Sequence, residues 1–157
     1  MADHMVIRLG KYLRILGYDA AWDTALRTHE LIARSNVERR VFLTRNKHLE
    51  FQYPHVDRVT VLEATDPVEQ LAAVVKEHCL GDELRLFSRC IGCNLELAAV
   101  AAKEEIEKVV HPNVYRRQDR FFRCPGCRTV FWHGSHVRNT IEKLGLKGAL
   151  ARAARMR

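Results

Sequence analysis

The sequence predicts a parallel α/β domain flanked by helices and followed by a small cysteine-held ribbon, and three observations carry that prediction. Over residues 1–86, short apolar runs of strand length alternate with segments whose apolar residues recur at helical spacing. Strands that alternate with helices build a parallel sheet covered on both faces. Beyond residue 87 come two Cys-x-x-Cys pairs, Cys90-Ile91-Gly92-Cys93 and Cys124-Pro125-Gly126-Cys127. The charge is also uneven: residues 1–86 hold 12 Lys/Arg against 13 Asp/Glu, residues 87–145 hold 10 against 6, and residues 146–157 hold 4 against none. The chain therefore divides into an α/β domain at 1–86, a ribbon at 87–145 and a basic tail at 146–157.

In chain order, Val6, Leu9, Leu13 and Leu16 recur at helical spacing while Arg8, Lys11 and Arg14 fall on the opposite face. This predicts an amphipathic helix over 5–16 with a basic outer side. Gly17-Tyr18-Asp19 stops it, and 19–28 reads as a short strand and loop. A helix over 28–34 follows, capped by Thr28. The apolar run at 41–44 reads as a buried strand, and 59–62 as another. Asp66-Pro67-Val68-Glu69 sets an acid at a helix cap and proline at the first helical position, which predicts a helix over 66–78.

Past the first cysteine pair, 97–109 reads as helical, Pro112 as a breaker, and Arg116, Arg117, Arg120 and Arg123 as a basic run. Phe121, Phe122, Phe131 and Trp132 bracket the second pair, either as a miniature core or as a base-stacking platform. Residues 141–156 predict a helix with a basic end.

Two residues between paired cysteines let both sulfurs turn toward one ion from a tight knuckle, with Gly92 and Gly126 supplying backbone freedom. Four such thiolates suit one tetrahedral zinc. The competing readings are two disulfides or four buried thiols. Nothing near Met1 resembles a signal peptide, so a reducing, cytoplasmic setting and a metal are favoured. A Cys-four site is closed, which makes the zinc structural and not an activator of water. His111, His133 and His136 are alternative ligands, and Cys79 reads as a small buried side chain. No apolar run reaches membrane-spanning length, so a soluble chain is expected. The basic excess of ribbon and tail suits a polyanion, nucleic acid above all, or serves solubility alone.

Several motifs together resemble one family. They are Ala2-Asp3-His4-Met5, the Arg8 to Tyr18 helix ending in Leu-Gly-Tyr-Asp, Leu43-Thr44-Arg45, Glu69-Gln70-Leu71, Ser88-Arg89-Cys90 with Cys93-Asn94, and Trp132-His133-Gly134-Ser135-His136. From residue 2 to about 145 the chain resembles the Mut-seven C-terminal RNase domain family. The resemblance implies a PIN-like nuclease fold carrying a zinc ribbon, with Mg2+ or Mn2+ held by carboxylates at the strand ends to activate water against an RNA phosphodiester.

Against that pattern, Asp3 matches the first acid of the family, His29 stands where an acid is expected before Glu30, and Asn46 stands where the Thr-Arg-Asp motif has its acid. Glu63 and Asp66 are nearby acids, and Asp66 already has a use as a helix cap. An amide keeps an oxygen ligand but loses the charge a hard cation needs. The family begins with a strand before its first acid, and Met1-Ala2 is too short to supply one. The expectation is therefore a start further upstream, or a missing central strand with Asp3 weakly anchored.

The resulting expectation is an RNA-binding protein with a degenerate nuclease site. Arg8, Lys11, Arg14, Arg45 and Lys47 frame the mouth of that site, while Arg116, Arg117, Arg120 and His136 extend the basic track. The alternatives are an active metal-dependent endoribonuclease using Asp3, Asn46 and Asp66, and a zinc-ribbon adaptor docking onto a protein or ribonucleoprotein assembly.

Overall fold

The computed structural model describes residues 1–80, 85–86, 88–132, 134 and 142. The chain is mixed α/β and forms two compact units, one from Met1–Leu13 with Ala20–Leu80 and the other from Arg14–Asp19 with the described part of Gly81–Arg157.

The first unit is organised on a short parallel sheet. Strand β1 (Phe42–Thr44) pairs with β2 (Val59–Val61) in the register Phe42↔Val59, Leu43↔Thr60, Thr44↔Val61. All of β1 is buried, as expected for an apolar strand covered on both faces. Its other edge is occupied by the first residues of the chain, through a parallel bridge between Ala2 and Leu43. The Leu43 N–H donates to the Met1 carbonyl at 2.7 Å and the Asp3 N–H donates to the Leu43 carbonyl at 3.0 Å. The expectation of a weakly anchored Asp3 is thus corrected: these two rungs fix its backbone beside the central strand.

Asp3 then caps a short 3-10 turn, His4–Val6, which runs into α1 (Ile7–Ile15). Val6, Leu9 and Leu13 are buried as the helical spacing predicted, and Arg8 and Lys11 are exposed. The reading of a short strand within 19–28 fails, since no strand forms there. Helix α2 (Thr28–Val37) starts from Arg27, whose N–H donates to the Glu30 carboxylate at 2.7 Å. Thr28 therefore lies inside the helix and is not its cap. A one-turn helix, α3 (Leu49–Gln52), follows β1.

Helix α4 (Pro67–Glu77) has the predicted start, with Asp66 Oδ1 accepting from the Val68 and Glu69 N–H groups at 2.9 and 3.1 Å. Met1, Ala21, Leu31, Ile32, Phe42 and Leu49 form a buried cluster. Full burial of each large member contributes about 1.5–3 kcal/mol relative to exposure. Cys79 departs from expectation: it is exposed, with φ at 52° just past the helix end.

The second unit carries a three-stranded antiparallel sheet in the order β3-β4-β5. The helix expected over 97–109 is replaced by β3 (Ala98–Ala99) and a 3-10 turn, Lys103–Ile106. Ala98 and Ala99 pair with Arg123 and Phe122 of β4 (Phe121–Arg123), and this pairing overrides the helical propensity of an alanine-rich stretch. Strand β5 (Val130–Trp132) completes the hairpin around the second cysteine pair.

Pro112 is no breaker. It opens α5 (Pro112–Arg117), where the missing N–H costs nothing, and His111 Nδ1 accepts from the Asn113 N–H at 3.2 Å. Ile106, Val110, Phe121 and Val130 form the core of the unit, with Trp132 against Phe121 at 6.5 Å between ring centroids. Phe121 and Trp132 therefore take the miniature-core role. The helix expected over 141–156, the basic tail, and His133 and His136 lie outside the described residues, Glu142 excepted. No helix among the described residues is long and apolar enough to cross a membrane.

Candidate metal centre and strand-end cleft

The two Cys-x-x-Cys segments adopt one conformation twice. In the first, the Asn94 N–H donates to the Cys90 carbonyl at 2.9 Å and the Cys90 N–H to the Leu95 carbonyl at 2.8 Å. The second repeats this, with Arg128 donating to the Cys124 carbonyl and Cys124 to the Thr129 carbonyl, both at 3.0 Å. The residue after each second cysteine is left-handed, Asn94 and Arg128 both having φ of 64°. The sequence assigned the freedom of the knuckle to Gly92 and Gly126, but neither has a positive φ. Gly126 serves close approach, because a Cβ there would stand 2.7 Å from Leu95 Cδ1.

This geometry brings the sulfurs of Cys90, Cys93, Cys124 and Cys127 within 4.8 Å of one another, with Cys90 and Cys127 at 3.7 Å. A tetrahedral zinc with sulfur at about 2.3 Å holds its four sulfurs about 3.8 Å apart, so the cluster has the right size for that ion. It is the one such group among the described residues. His111 is not part of it and is engaged as the cap of α5.

Cys90 and Cys124 are buried, whereas Cys93 and Cys127 are exposed. The Thr129 hydroxyl, helped by the Thr129 backbone, pulls the Cys127 thiol down to about 6. The Cys127 sulfur beside Cys93 pushes that thiol up to about 12, and burial raises Cys90. Cys127 is thus the more acidic thiol of the pair it forms with Cys93. A divalent cation removes the mutual repulsion and releases the thiol protons.

Two arginines hold the first knuckle from outside. Arg14 Nη1 donates to the Ile91 and Gly92 carbonyls at 2.8 and 2.7 Å, and Arg89 Nη1 donates to the Asn94 carbonyl at 2.9 Å. Arg14 is only 4% exposed. The expectation that it lies on an outer face and meets phosphate is therefore corrected. Four thiolates around a divalent ion carry a net double negative charge, and a buried guanidinium nearby offsets part of it.

At the C-terminal ends of the parallel strands of the first unit lies an open cleft of about 490 Å³, lined by Asp3, His4, Met5, Thr28, Arg45, Asn46, Lys47 and His48. Open parallel sheets bind ligands at this end. Asp3 is buried and both its carboxylate oxygens are used: Oδ1 accepts from the Met5 N–H at 2.5 Å and Oδ2 from the Thr44 hydroxyl. Thr44 Oγ1 in turn accepts from the Asn46 N–H at 3.0 Å. The Asn46 side chain accepts from the His48 N–H at 3.0 Å and donates to Gln52 Oε1 at 2.8 Å, fastening α3 to the strand end.

Two of the three residues expected for a metal share the cleft. Asp3 and Asn46 line the cleft; Asp66 does not, and its carboxylate caps α4. His29 and Arg8 and Lys11 are exposed but are not among the lining residues. What the cleft does bring together is cationic. Lys47 is strongly exposed and makes an exposed 3.4 Å ion pair with Glu63, a contact worth little in stability. Arg45 Nε is buried with no hydrogen-bond partner among the described residues.

The sequence model of the Mut7-C RNAse domain matches residues 1–144 of this chain. The chain belongs to that family. No curated protein and no solved structure matches it. Membership of an RNase domain family suggests a nuclease- or RNA-related role, and in this member the cleft that carries Asp3 also holds Arg45 and Lys47.

Sequence reasoning missed His4, Met5, Thr28 and His48 as cleft residues. The signal was present in part, since Asn46-Lys47-His48 directly follows the end of β1. In the second unit, Arg116, Arg117 and Arg120 are exposed, with Arg116 donating to Asn113 Oδ1 at 2.7 Å, whereas Arg123 is half-buried beside Glu105.

Proposed function

We propose that this chain is an RNA-binding member of the Mut7-C RNAse domain family with a degenerate nuclease centre, stabilised by a structural zinc in a ribbon at 87–145. The observation that carries the reading is the charge of the strand-end cleft: its lining holds Arg45 and Lys47 with His4 and His48 and one acid, Asp3, already engaged by two donors, while Glu63, which is not a lining residue, pairs with Lys47 at 3.4 Å. Such a lining attracts phosphate and repels magnesium, which needs several negative oxygens. Asp3, Asn46 and Thr28 are the lining side chains able to offer oxygen to Mg2+ or Mn2+, and Asp3 alone among them carries a negative charge; a metal-dependent endoribonuclease that also recruits Asp66 is the reading this disfavours.

Exposed Arg8 and Lys11 on α1, and Arg116, Arg117 and Arg120 on the second unit, add phosphate contacts. His136 belongs to the same basic track by its place in the sequence. Zinc-bound, reduced cysteines suit the cytoplasm.

The test is a salt titration of labelled single-stranded RNA with the zinc-loaded chain, with cleavage followed on a denaturing gel in magnesium and in manganese. Binding should weaken steeply with salt, and Arg45→Ala with Lys47→Ala should reduce the slope by about 0.7 per lost phosphate contact. RNA should remain intact in magnesium. Magnesium-dependent cleavage abolished by Asp3→Asn would overturn the degenerate reading, and a salt-independent association confined to protein or ribonucleoprotein assemblies would favour the adaptor.

A further inference from the structure

Single-stranded and duplex RNA differ in what they offer a protein. Both present phosphates, but only the single strand presents unstacked base faces, and proteins capture those on exposed aromatic rings. In the second unit the rings that bracket the cysteines are not free for this role: Phe121 is buried in the core with Trp132 against it, and Phe122 and Phe131 are half-buried. Among the described residues one Phe, Tyr or Trp is exposed. It is Phe51, at 90%.

Phe51 lies on α3, three residues after His48, which lines the cleft. Residues three apart on a helix are neighbours on its surface, about 5–6 Å between Cβ atoms. The ledge that carries them is fixed. Leu49 is fully buried in the core of the first unit, the Gln52 N–H donates to the His48 carbonyl at 3.0 Å, and Asn46 ties Gln52 to the strand end. A second apolar side chain, Met5, is 55% exposed and lines the same cleft. Met5 thus puts exposed apolar surface in the cleft beside Arg45 and Lys47, and Phe51, not itself a lining residue, lies three residues beyond the lining residue His48.

We infer, resting on the phosphate-binding reading of the cleft, that Phe51 is a stacking platform for an unpaired base of single-stranded RNA whose adjacent phosphate sits against Arg45 and Lys47. His48, the cap residue of α3 and a lining residue of the cleft, contacts the linking sugar-phosphate on this reading. The substrate class is accordingly single-stranded RNA and not duplex, with no hydrogen-bond readout of base identity at Phe51, because every base has a π-face.

The test uses the full zinc-loaded chain, a short oligouridylate and its duplex with oligoadenylate. Phe51→Ala should weaken oligouridylate binding roughly 5- to 150-fold, the range expected for loss of one base-stacking contact, with an unchanged salt slope. Phe51→Tyr should restore affinity, and Phe51→Ala should leave duplex binding unchanged. Phe51→Trp should add emission that falls on oligouridylate binding, read as the difference from the parent. At 90% exposure the side chain is not needed for folding, so these variants remain interpretable.

Equal oligouridylate affinity for Phe51→Ala and parent, while Arg45→Ala with Lys47→Ala loses binding, overturns the stacking platform and leaves the cleft reading standing. Parent-like binding by the Arg45/Lys47 double variant overturns the cleft reading and the platform with it.

Discussion

The cysteine centre and the strand-end cleft are built from opposite kinds of chain geometry. Each half of the cysteine centre is local: one tight turn delivers two sulfurs, and the same turn is used twice. The cleft is assembled from residues 3–5, Thr28 and 45–48, brought together by the parallel pairing around β1. A site made of repeated local turns retains its chemistry as long as the turns survive. A site made of single side chains from separate segments changes character with one or two substitutions.

The sharpest break in that comparison is removal of one sulfur. Cys90→Ser should lower bound zinc from one equivalent to well under half, with loss of the ribbon's protease resistance, since metal binding in such units is folding free energy of about 10 kcal/mol or more. Asp3→Asn should leave zinc content unchanged. Metal analysis of both proteins decides the matter.

Acid should separate the two regions next. Cys127 is an anion above about 6, so protons compete with zinc for that ligand increasingly as pH falls through 6, while Cys93, near 12 without metal, must release its proton to the ion at any physiological pH. Zinc affinity should therefore rise with pH, and a competition titration with a chromophoric chelator between about pH 5 and about pH 8 measures it.

Arg14→Ala tests whether the clamp on the first knuckle matters. It removes a buried guanidinium that satisfies two carbonyls, and a loss of about 2–4 kcal/mol in the zinc-bound state is expected by denaturant unfolding. Arg14→Lys should recover part of it. An unfolding midpoint equal to the parent's would show the clamp to be inert.

At the cleft, Asn46→Asp adds a second carboxylate beside Asp3 and forfeits the donor to Gln52, at a cost of about 1 kcal/mol. Manganese affinity, read by electron paramagnetic resonance, should increase, whereas His29→Asp should leave it unchanged because His29 is not a lining residue. The smallest effect is reserved for Asp66→Ala, about 1 kcal/mol from loss of the α4 cap. RNA affinity should not move, and if it does, Asp66 belongs to the cleft after all.

The readings that succeeded rest on signals confined to a few neighbouring residues. Asp66-Pro67 announces its helix because cap acid and first-turn proline act within one turn. The cysteine spacing announces its cluster for the same reason. The failures are positions where a distant partner decides. Ala98 and Ala99 have helical composition but gain more from pairing with β4. Arg14 falls on the polar side of a helical projection, yet carbonyls from residues 91 and 92 enclose it. Pro112 was read by identity alone, when its place after His111 makes it a starter. The charge of the cleft was half legible, since Asn46 and Lys47 could be named from sequence but not the absence of Asp66 from their company.

The repeated turn also makes the metal a clasp on the chain. Either cysteine pair can capture zinc while the rest of the ribbon is unfolded, because only a two-residue gap must close. Joining the second pair closes a loop of about thirty residues between Cys93 and Cys124, an entropic cost that scales logarithmically and amounts to about 3 kcal/mol. An ion held by all four cysteines offsets that cost with two further thiolate bonds, and β3, β4 and α5 all lie inside the loop it closes, so loss of either pair would release the whole of that segment from its clasp.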